Sequence, residues 1–335
     1  MNLYTTLQKL CSCPSVSGRE DSIRELLREL VSPFAEEISV DNLGNLIARK
    51  KAKNADAKKV MLCAHMDEIG FLVTFIEENG MIRIAPVGGI SLPAAAYSEV
   101  VSEKGVAGVI VPESKTKPKD YAIDKFYVDI GAKDRKSAER KVSIGDFFVV
   151  RGGVCRLAGN RICGRPLDDR IGCAILLSLA ERLSSTETAC DIYYVFSVQE
   201  EVGCRGALPA AFGISPDISL CFDVTGTGDT PGADAMACAL GKGAAVKIKD
   251  SSVICHEEVV SELCALAEAH KIPYQREILL YGGTDTAPMQ LSGSGSRAGA
   301  LSIPCRYIHS AVETCDLGDV EACISLAEKF VLTLK

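Results

Sequence analysis

The sequence predicts an α/β fold: a mixed sheet covered by helices on both faces, with a small β-rich module inserted into it. Three observations predict it. Strand-like apolar runs alternate with helical patterns near both ends of the 335-residue chain, the texture of a helix-covered sheet. Between them, from Phe71 to Val150, short β-like runs separated by Gly, Pro and Asn-Gly turns replace any long helical pattern. Finally, four apolar runs lead into side chains that bind metals. Val60–Ala64 leads into His65-Met66-Asp67-Glu68, Ile192–Val198 into Gln199-Glu200-Glu201, and Ile218–Phe222 into Asp223, while Ala298–Ile303 is followed closely by His309. The carboxyl ends of strands are where open α/β sheets bind ligands.

The elements follow in order. Ile23, Leu26, Leu27 and Leu30 share one face of a helix over Asp21–Val31, and Ser17 followed by Glu20 matches a capping box before it. Asn45–Arg49 and Val60–Ala64 read as strands, joined by a lysine-rich, solvated turn over Lys50–Lys59. The β-rich module takes its strands from Phe71–Ile76, Met81–Ala85, Glu99–Ser102, Val106–Val111, Phe126–Ile130 and Phe147–Val150, as a barrel or sandwich. Pro112–Asp124 reads as a mobile loop. Ile171–Leu183, apolar nearly all round, predicts a buried helix. Strands follow at Ile192–Val198, Ile218–Phe222, Ala244–Ile248, Glu277–Leu280 and Ala298–Ile303, with helices at Glu257–Ala269 and Asp319–Leu332. The organisation is therefore a catalytic domain in two parts, 1–70 and 161–335, around an insert at 71–160.

Composition narrows the function. A net charge of −7 argues against a nucleic-acid partner. No run approaches the roughly 18 apolar residues of a membrane span, and the first ten residues lack the apolar core of a signal peptide, so a cytoplasmic protein is expected. The fifteen cysteines are odd in number, irregularly spaced and form no CxxC. They read as reduced thiols, several of them small core residues such as Cys63, Cys173, Cys221 and Cys264.

The candidate metal ligands are His65, Asp168, Glu201, Asp223 and His309. Imidazole with carboxylate suits zinc, cobalt or manganese rather than calcium. Of the four histidines, His256 and His270 fall at the ends of a predicted helix, where capping or solvation accounts for them. Each remaining ligand also has a bland explanation: Asp168-Asp169-Arg170 can simply start a helix, and Glu200-Glu201 can be a surface turn. Their convergence on one sheet edge is what argues for cations, since clustered carboxylates repel without them. Five ligands suffice for two ions if one is shared. With Asp168 as the bridge, each ion has three protein ligands and an open position for a bridging water, which becomes hydroxide near neutral pH. Glu200 is then the candidate base for that water, and Asp67 the residue that orients His65.

The chain resembles the tetrahedral-shell metallo-aminopeptidases of the glutamyl aminopeptidase, deblocking aminopeptidase and FrvX-like group. The matching stretches are Val16-Ser-Gly-Arg-Glu20, Asp41-Asn-Leu-Gly-Asn-Leu46, Ala64-His-Met-Asp-Glu-Ile-Gly70, Pro86-Val-Gly-Gly89, Tyr127-Val-Asp-Ile-Gly-Ala132, Leu167-Asp-Asp-Arg170, Gln199-Glu-Glu-Val-Gly203, Arg205-Gly-Ala207, Gly282-Gly-Thr-Asp285 and Ile308-His-Ser310, in family order over nearly the whole length. The resemblance implies that His65 and Asp223 bind one ion, Glu201 and His309 the other, and that Asp168 bridges them with Glu200 as general base. It implies a PDZ-like or barrel-like insert that makes dimer contacts, dimers that assemble into a tetrahedral dodecamer, and short peptides as substrates. A cis bond at Asp168–Asp169 is a further implication. Gly282, Gly283, Thr284 and Asp285 are expected to line the substrate site, although a glycine turn feeding a helix is another reading of them. Pro166, Thr286 and Ala311 depart from the family's usual residues, and none removes a ligand.

The function expected is thus a metal-dependent aminopeptidase with two divalent ions per subunit. The alternative is a carboxypeptidase or deacylase of the same architecture, which needs a cation to grip a carboxylate; Arg170, Arg205 and Arg297 are available. A non-enzymatic protein would be expected to have lost ligands, and a glycosidase would leave both histidines idle.

Overall fold

The computed structural model describes residues 1–54 and 56–334. Helices α1 (Leu3–Cys11) and α2 (Asp21–Val31) precede strands β1 (Glu37–Val40), β2 (Leu46–Lys50) and β3 (Lys59–His65). A six-stranded closed barrel follows: β4 (Gly70–Ile76), β5 (Ile82–Val87), β6 (Ser98–Ser102), β7 (Ala107–Pro112), β8 (Phe126–Asp129) and β9 (Phe147–Val150), in the order β4-β5-β8-β7-β6-β9. It carries short helices α3 (Leu92–Ala95) and α4 (Arg135–Glu139). The chain then returns through β10 (Gly153–Arg156), β11 (Arg161–Arg165), α5 (Arg170–Leu183), β12 (Asp191–Ser197), α6 (Ala207–Ile214), β13 (Ile218–Thr225), β14 (Ala244–Lys249), α7 (Glu257–His270), β15 (Tyr274–Ile278), α8 (Thr286–Leu291), β16 (Arg297–Arg306), β17 (Glu313–Asp316) and α9 (Leu317–Thr333).

The fold is the expected mixed sheet with a separate antiparallel barrel. Among the described residues the large sheet has eleven strands, ordered β1-β2-β12-β3-β13-β16-β17-β11-β10, with β14 beside β16 and β15 beside β14. Its centre, β12-β3-β13-β16, is parallel, so these strands deliver their carboxyl ends to one edge. The side chains of β3 show why its run is continuously apolar. Val60, Leu62 and Ala64 face the core shared with α5, while Met61 and Cys63 face the cluster that holds α6 and Met289 of α8. A strand covered on both faces has no solvated side to make polar. The barrel has its own core, built on Phe71, Ile82, Val100, Ile110, Phe126, Val128 and Phe148.

Several expectations are corrected. Ser17 and Glu20 do not form a capping box: Glu20 is the N-cap of α2 without a side-chain cap bond, and both side chains turn toward the strand ends described below. The strand expected at Glu277–Leu280 lies at Tyr274–Ile278, because β15 pairs with β14 from Tyr274 onward, leaving Leu280 exposed. The segment Pro112–Asp124 contains a 3-10 turn, Pro118–Asp120, and another begins at Ile123. Strand β10, inside the stretch 71–160 expected for the insert, pairs with β11 in the large sheet. The lysine-rich turn begins and ends in strand residues Lys50 and Lys59, and its Ala55 lies outside the described residues.

Candidate metal centre

Four parallel strands bring the centre together. His65 is the last residue of β3, and its register partner is Ser197, the last residue of β12. The turn after Ser197 carries Glu200 and Glu201. Asp223 lies near the end of β13, beside Ser302 of β16, and His309 follows β16 in a left-handed backbone conformation, φ 63°. Asp168 comes from the loop between β11 and α5, where the Asp168–Asp169 peptide is cis, as is Arg165–Pro166.

The five candidate ligands converge. His65 Nε2 lies 3.1 Å from Asp168 Oδ1 and 3.9 Å from Asp223 Oδ1. His309 Nε2 lies 3.3 Å from Asp168 Oδ2 and 3.3 Å from Glu201 Oε2. The carboxylate of Asp168 therefore faces His65 with one oxygen and His309 with the other. Donor atoms of His65, Asp168 and Asp223 all lie within 4.8 Å of one another, as do those of Asp168, Glu201 and His309. Glu200 Oε2 stands 4.0 Å from His65 Nε2. His256 and His270 lie elsewhere, at the N-cap and last residue of α7.

Asp67 is fully buried behind His65 and knits the edge together. The Nδ1 of His65 donates to the Asp67 carbonyl at 3.2 Å, and lies 3.4 Å from Asp67 Oδ1. A carbonyl oxygen only accepts, so Nδ1 carries the proton and Nε2 is the nitrogen turned toward Asp168. The Asp67 carboxylate accepts from Ser17 Oγ at 2.6 Å and from the Glu200 and Glu201 amides at 3.1 and 3.3 Å. Burial pushes Asp67 up, but the bonds from His65, Ser17 and Glu200 outweigh it and hold the carboxyl below its usual range.

The electrostatics of the cluster call for cations. Burial drives the carboxyls of Glu200, Glu201 and Asp223 upward, and neighbouring carboxylates add to that push. Burial pulls the His309 imidazole down, yet Asp168 and Glu201 overcome it and lift His309 to about 11. His65 is raised well above its usual value in the same way, by Asp168 and Asp67 against burial. Protons on both imidazoles compensate an excess of negative charge. These imidazole and carboxylate donors are also of the kind that metal cations bind, and a cation binding there would release those protons.

The sequence pattern assigns no role to several supporting residues. Glu313 of β17 accepts from the Leu167 and Asp168 amides at 2.6 and 3.2 Å and from the His309 amide at 3.1 Å, so one carboxylate fixes the backbone of two candidate ligands. Arg165 packs 3.7 Å from both Glu68 and Glu313. Asn45 accepts from the Val198 amide and donates to the Gly206 carbonyl, bracing the turn that holds Glu200. Gly89, from the barrel side, lies where a Cβ would come 3.0 Å from His309 Nδ1. That close approach gives the Pro86–Gly89 stretch a steric reason.

The ligands open onto a cleft of about 500 Å³, lined by Glu200, Glu201, Asp223, Tyr281, Gly282 and Gly283 among others. Gly282 and Gly283 are among its lining residues. Thr284 and Asp285 do not line it: they are 2% and 1% exposed, at the turn feeding α8. Among the described residues, no lysine or arginine lines the cleft. Arg170 is buried and bonded to the Leu10 carbonyl and Ser15 Oγ. Arg297 begins β16, at the far end from His309, and pairs with Glu258.

A family profile for M42 glutamyl aminopeptidase matches residues 44–326. The chain belongs to the M42 family. Lysyl aminopeptidase of Pyrococcus furiosus is 36% identical over 349 residues, covering 99% of this chain and 97% of that one. An aminopeptidase from the archaeon Desulfurococcus kamchatkensis superposes with a TM-score of 0.94 at 35% identity, over 98% of this chain and 94% of that one. The Pyrococcus horikoshii TET1 peptidase, which assembles into a tetrahedron or a large octahedral shell, gives a TM-score of 0.89 at 32% identity, over 99% and 100% of the two chains. This M42 protein is thus an enzyme, an aminopeptidase of a metal-dependent family.

Proposed function

We propose that the enzyme removes N-terminal residues from short peptides, using two divalent ions, zinc or cobalt or manganese, with Asp168 as the shared ligand. His65 and Asp223 would hold one ion, and Glu201 and His309 the other. When bound, the ions supply Lewis acidity to the scissile carbonyl and to water between them. Glu200 removes the water's proton and delivers it to the departing amine. Asp67 keeps the His65 ring proton on Nδ1, leaving Nε2 as a ligand.

The observation that carries this reading is the double-faced carboxylate of Asp168, within 3.1 Å of one candidate imidazole and 3.3 Å of the other. The acidic cleft supports a free ammonium as the recognised end of the substrate. A carboxypeptidase or deacylase needs a cation in place to hold a carboxylate, and the cleft lining described above lacks one. The likeness to shell-forming peptidases supports a homo-oligomer, built from dimers into a tetrahedral dodecamer. A panel of aminoacyl anilides assayed with zinc, cobalt and manganese, beside N-acetylated counterparts, tests the activity. Turnover of the free-amine compounds alone is expected, and preference for the acetylated set contradicts it. Native mass measurement on the metal-loaded enzyme tests the assembly.

A further inference from the structure

We propose that Glu200, Cys204 and Asp285 form a third metal site, distinct from the pair at Asp168, which takes a soft divalent cation and arrests the enzyme when filled. The proposal rests on the reading of Glu200 as the proton-transfer group, and adds a way for that group to be taken out of use.

The geometry comes from one tight turn. The amides of Gly203 and Cys204 both donate to the Glu200 carbonyl at 2.8 Å. This places the two side chains, four residues apart, together at the cleft, with Cys204 Sγ 3.1 Å from Glu200 Oε1. Asp285 closes the set from the turn into α8. Each of the three residues offers a ligand atom, and these atoms lie within 4.8 Å of one another.

A second observation points to a ligand. Asp285 is 1% exposed, and its two oxygens are treated differently. Oδ2 accepts from Ser197 Oγ at 2.5 Å and from Cys63 Sγ at 3.7 Å, whereas Oδ1 is buried without a hydrogen-bond partner. A buried, unpaired carboxylate oxygen is costly, and a cation held with Cys204 and Glu200 offers it a partner.

The chemistry selects the ion. One thiolate and two carboxylates suit zinc or its softer congener cadmium far better than magnesium or calcium. As the sulfur–metal bond forms, the Cys204 thiol loses its proton to solvent. Glu200, now a ligand, no longer has the free oxygen pair that proton transfer needs. The consequence is hydrolysis that rises as zinc fills the two working positions and falls as excess zinc fills the third.

The test uses the metal-loaded enzyme dialysed against excess zinc, and separately against excess cadmium, comparing wild type with Cys204→Ser. Cys155→Ser, altering an exposed thiol away from the cleft, serves as control. Wild type and the control are expected to hold one more ion per chain than Cys204→Ser. In cadmium they should show a thiolate-to-metal ultraviolet band that Cys204→Ser lacks. Inhibition of Cys204→Ser, scored against its own maximum, should need at least about tenfold more zinc. Equal ion counts in wild type and Cys204→Ser, or superimposable inhibition curves, overturn the proposal. Glu200→Gln separates the two ideas: if it stays active the proton-transfer reading fails, while the cadmium band still reports directly on the thiolate site.

Discussion

At the scale of single residues, the chain's chemistry rests on which carboxylates are free to act and which are tied. Asp67 is tied, accepting from Ser17 and from the Glu200 and Glu201 amides. The Glu200 carboxylate, by contrast, accepts a hydrogen bond from the Cys204 thiol and no backbone amide ties it among the described residues, so it remains available for a proton. Glu200→Gln is therefore expected to lower kcat by about 10²–10⁴-fold while the two working ions still bind, as read by metal analysis after gel filtration. Full activity in that variant would remove Glu200 from its role. The five candidate ligands were legible because each follows an apolar run or an Asp-Asp-Arg signature, and the strand ends meet at one edge. Glu313 was not, and Asn45, although inside the matching stretch Asp41–Leu46, showed no role there. Their work is done through backbone amides of Leu167, Asp168, His309 and Val198, far away in sequence, and a side chain that braces a distant backbone leaves no local pattern.

At the scale of elements, the strands that read clearly are those buried on both faces. β3, β12, β13 and β16 carry long apolar runs because helices cover both sides of them. The poorly read elements are short or carry charges. Helices α6 and α8 have only 8 and 6 residues, too few turns for a periodic signal. Strand β14 lies where its apolar run indicates, whereas β15 starts earlier than expected; between them they hide a charged pair, since Lys247 and Glu277 are both fully buried and joined, with Thr225 Oγ1 also donating to Glu277 at 2.8 Å. Breaking that pair leaves a lone buried charge, so Lys247→Met is expected to cost about 3–5 kcal/mol in denaturant unfolding. The double variant Lys247→Met with Glu277→Leu should recover most of it. A double variant as unstable as the single one would show that the pair is needed for more than charge balance.

The same scale carries a pH prediction. Asp319, in the first turn of α9, is buried and accepts from the Gly241 and Gly243 amides at 2.7 and 2.6 Å. Burial raises its carboxyl to about 6, although those two amides pull it back. A carboxyl raised in the folded state favours folding most when protonated. Its contribution is complete below the usual value near about 4 and is lost as pH rises through about 6. Asp319→Asn should therefore flatten the fall of stability between these values, in chemical melts at a series of pH. An unchanged slope would place the titration elsewhere.

At the scale of the whole molecule, the barrel and the large sheet are separate cores joined where the site lies. Texture alone separated them, because the barrel's short runs and turns contrast with the long helical patterns around it. The hand-back to the sheet was less legible: β10 and β11 are short and carry Gly, Cys and Arg where a buried strand usually carries Val and Ile. The barrel also reaches the centre through Gly89 against His309, which couples the position of the insert to one proposed ion. All of this converges on a pair of ions sharing Asp168. Anomalous diffraction at the zinc absorption edge, from crystals equilibrated with two equivalents of zinc, tests it most directly. The account predicts two peaks on either side of the Asp168 carboxylate, one against His65 and Asp223 and the other against Glu201 and His309. A single peak, or ions bound away from Asp168, would contradict it.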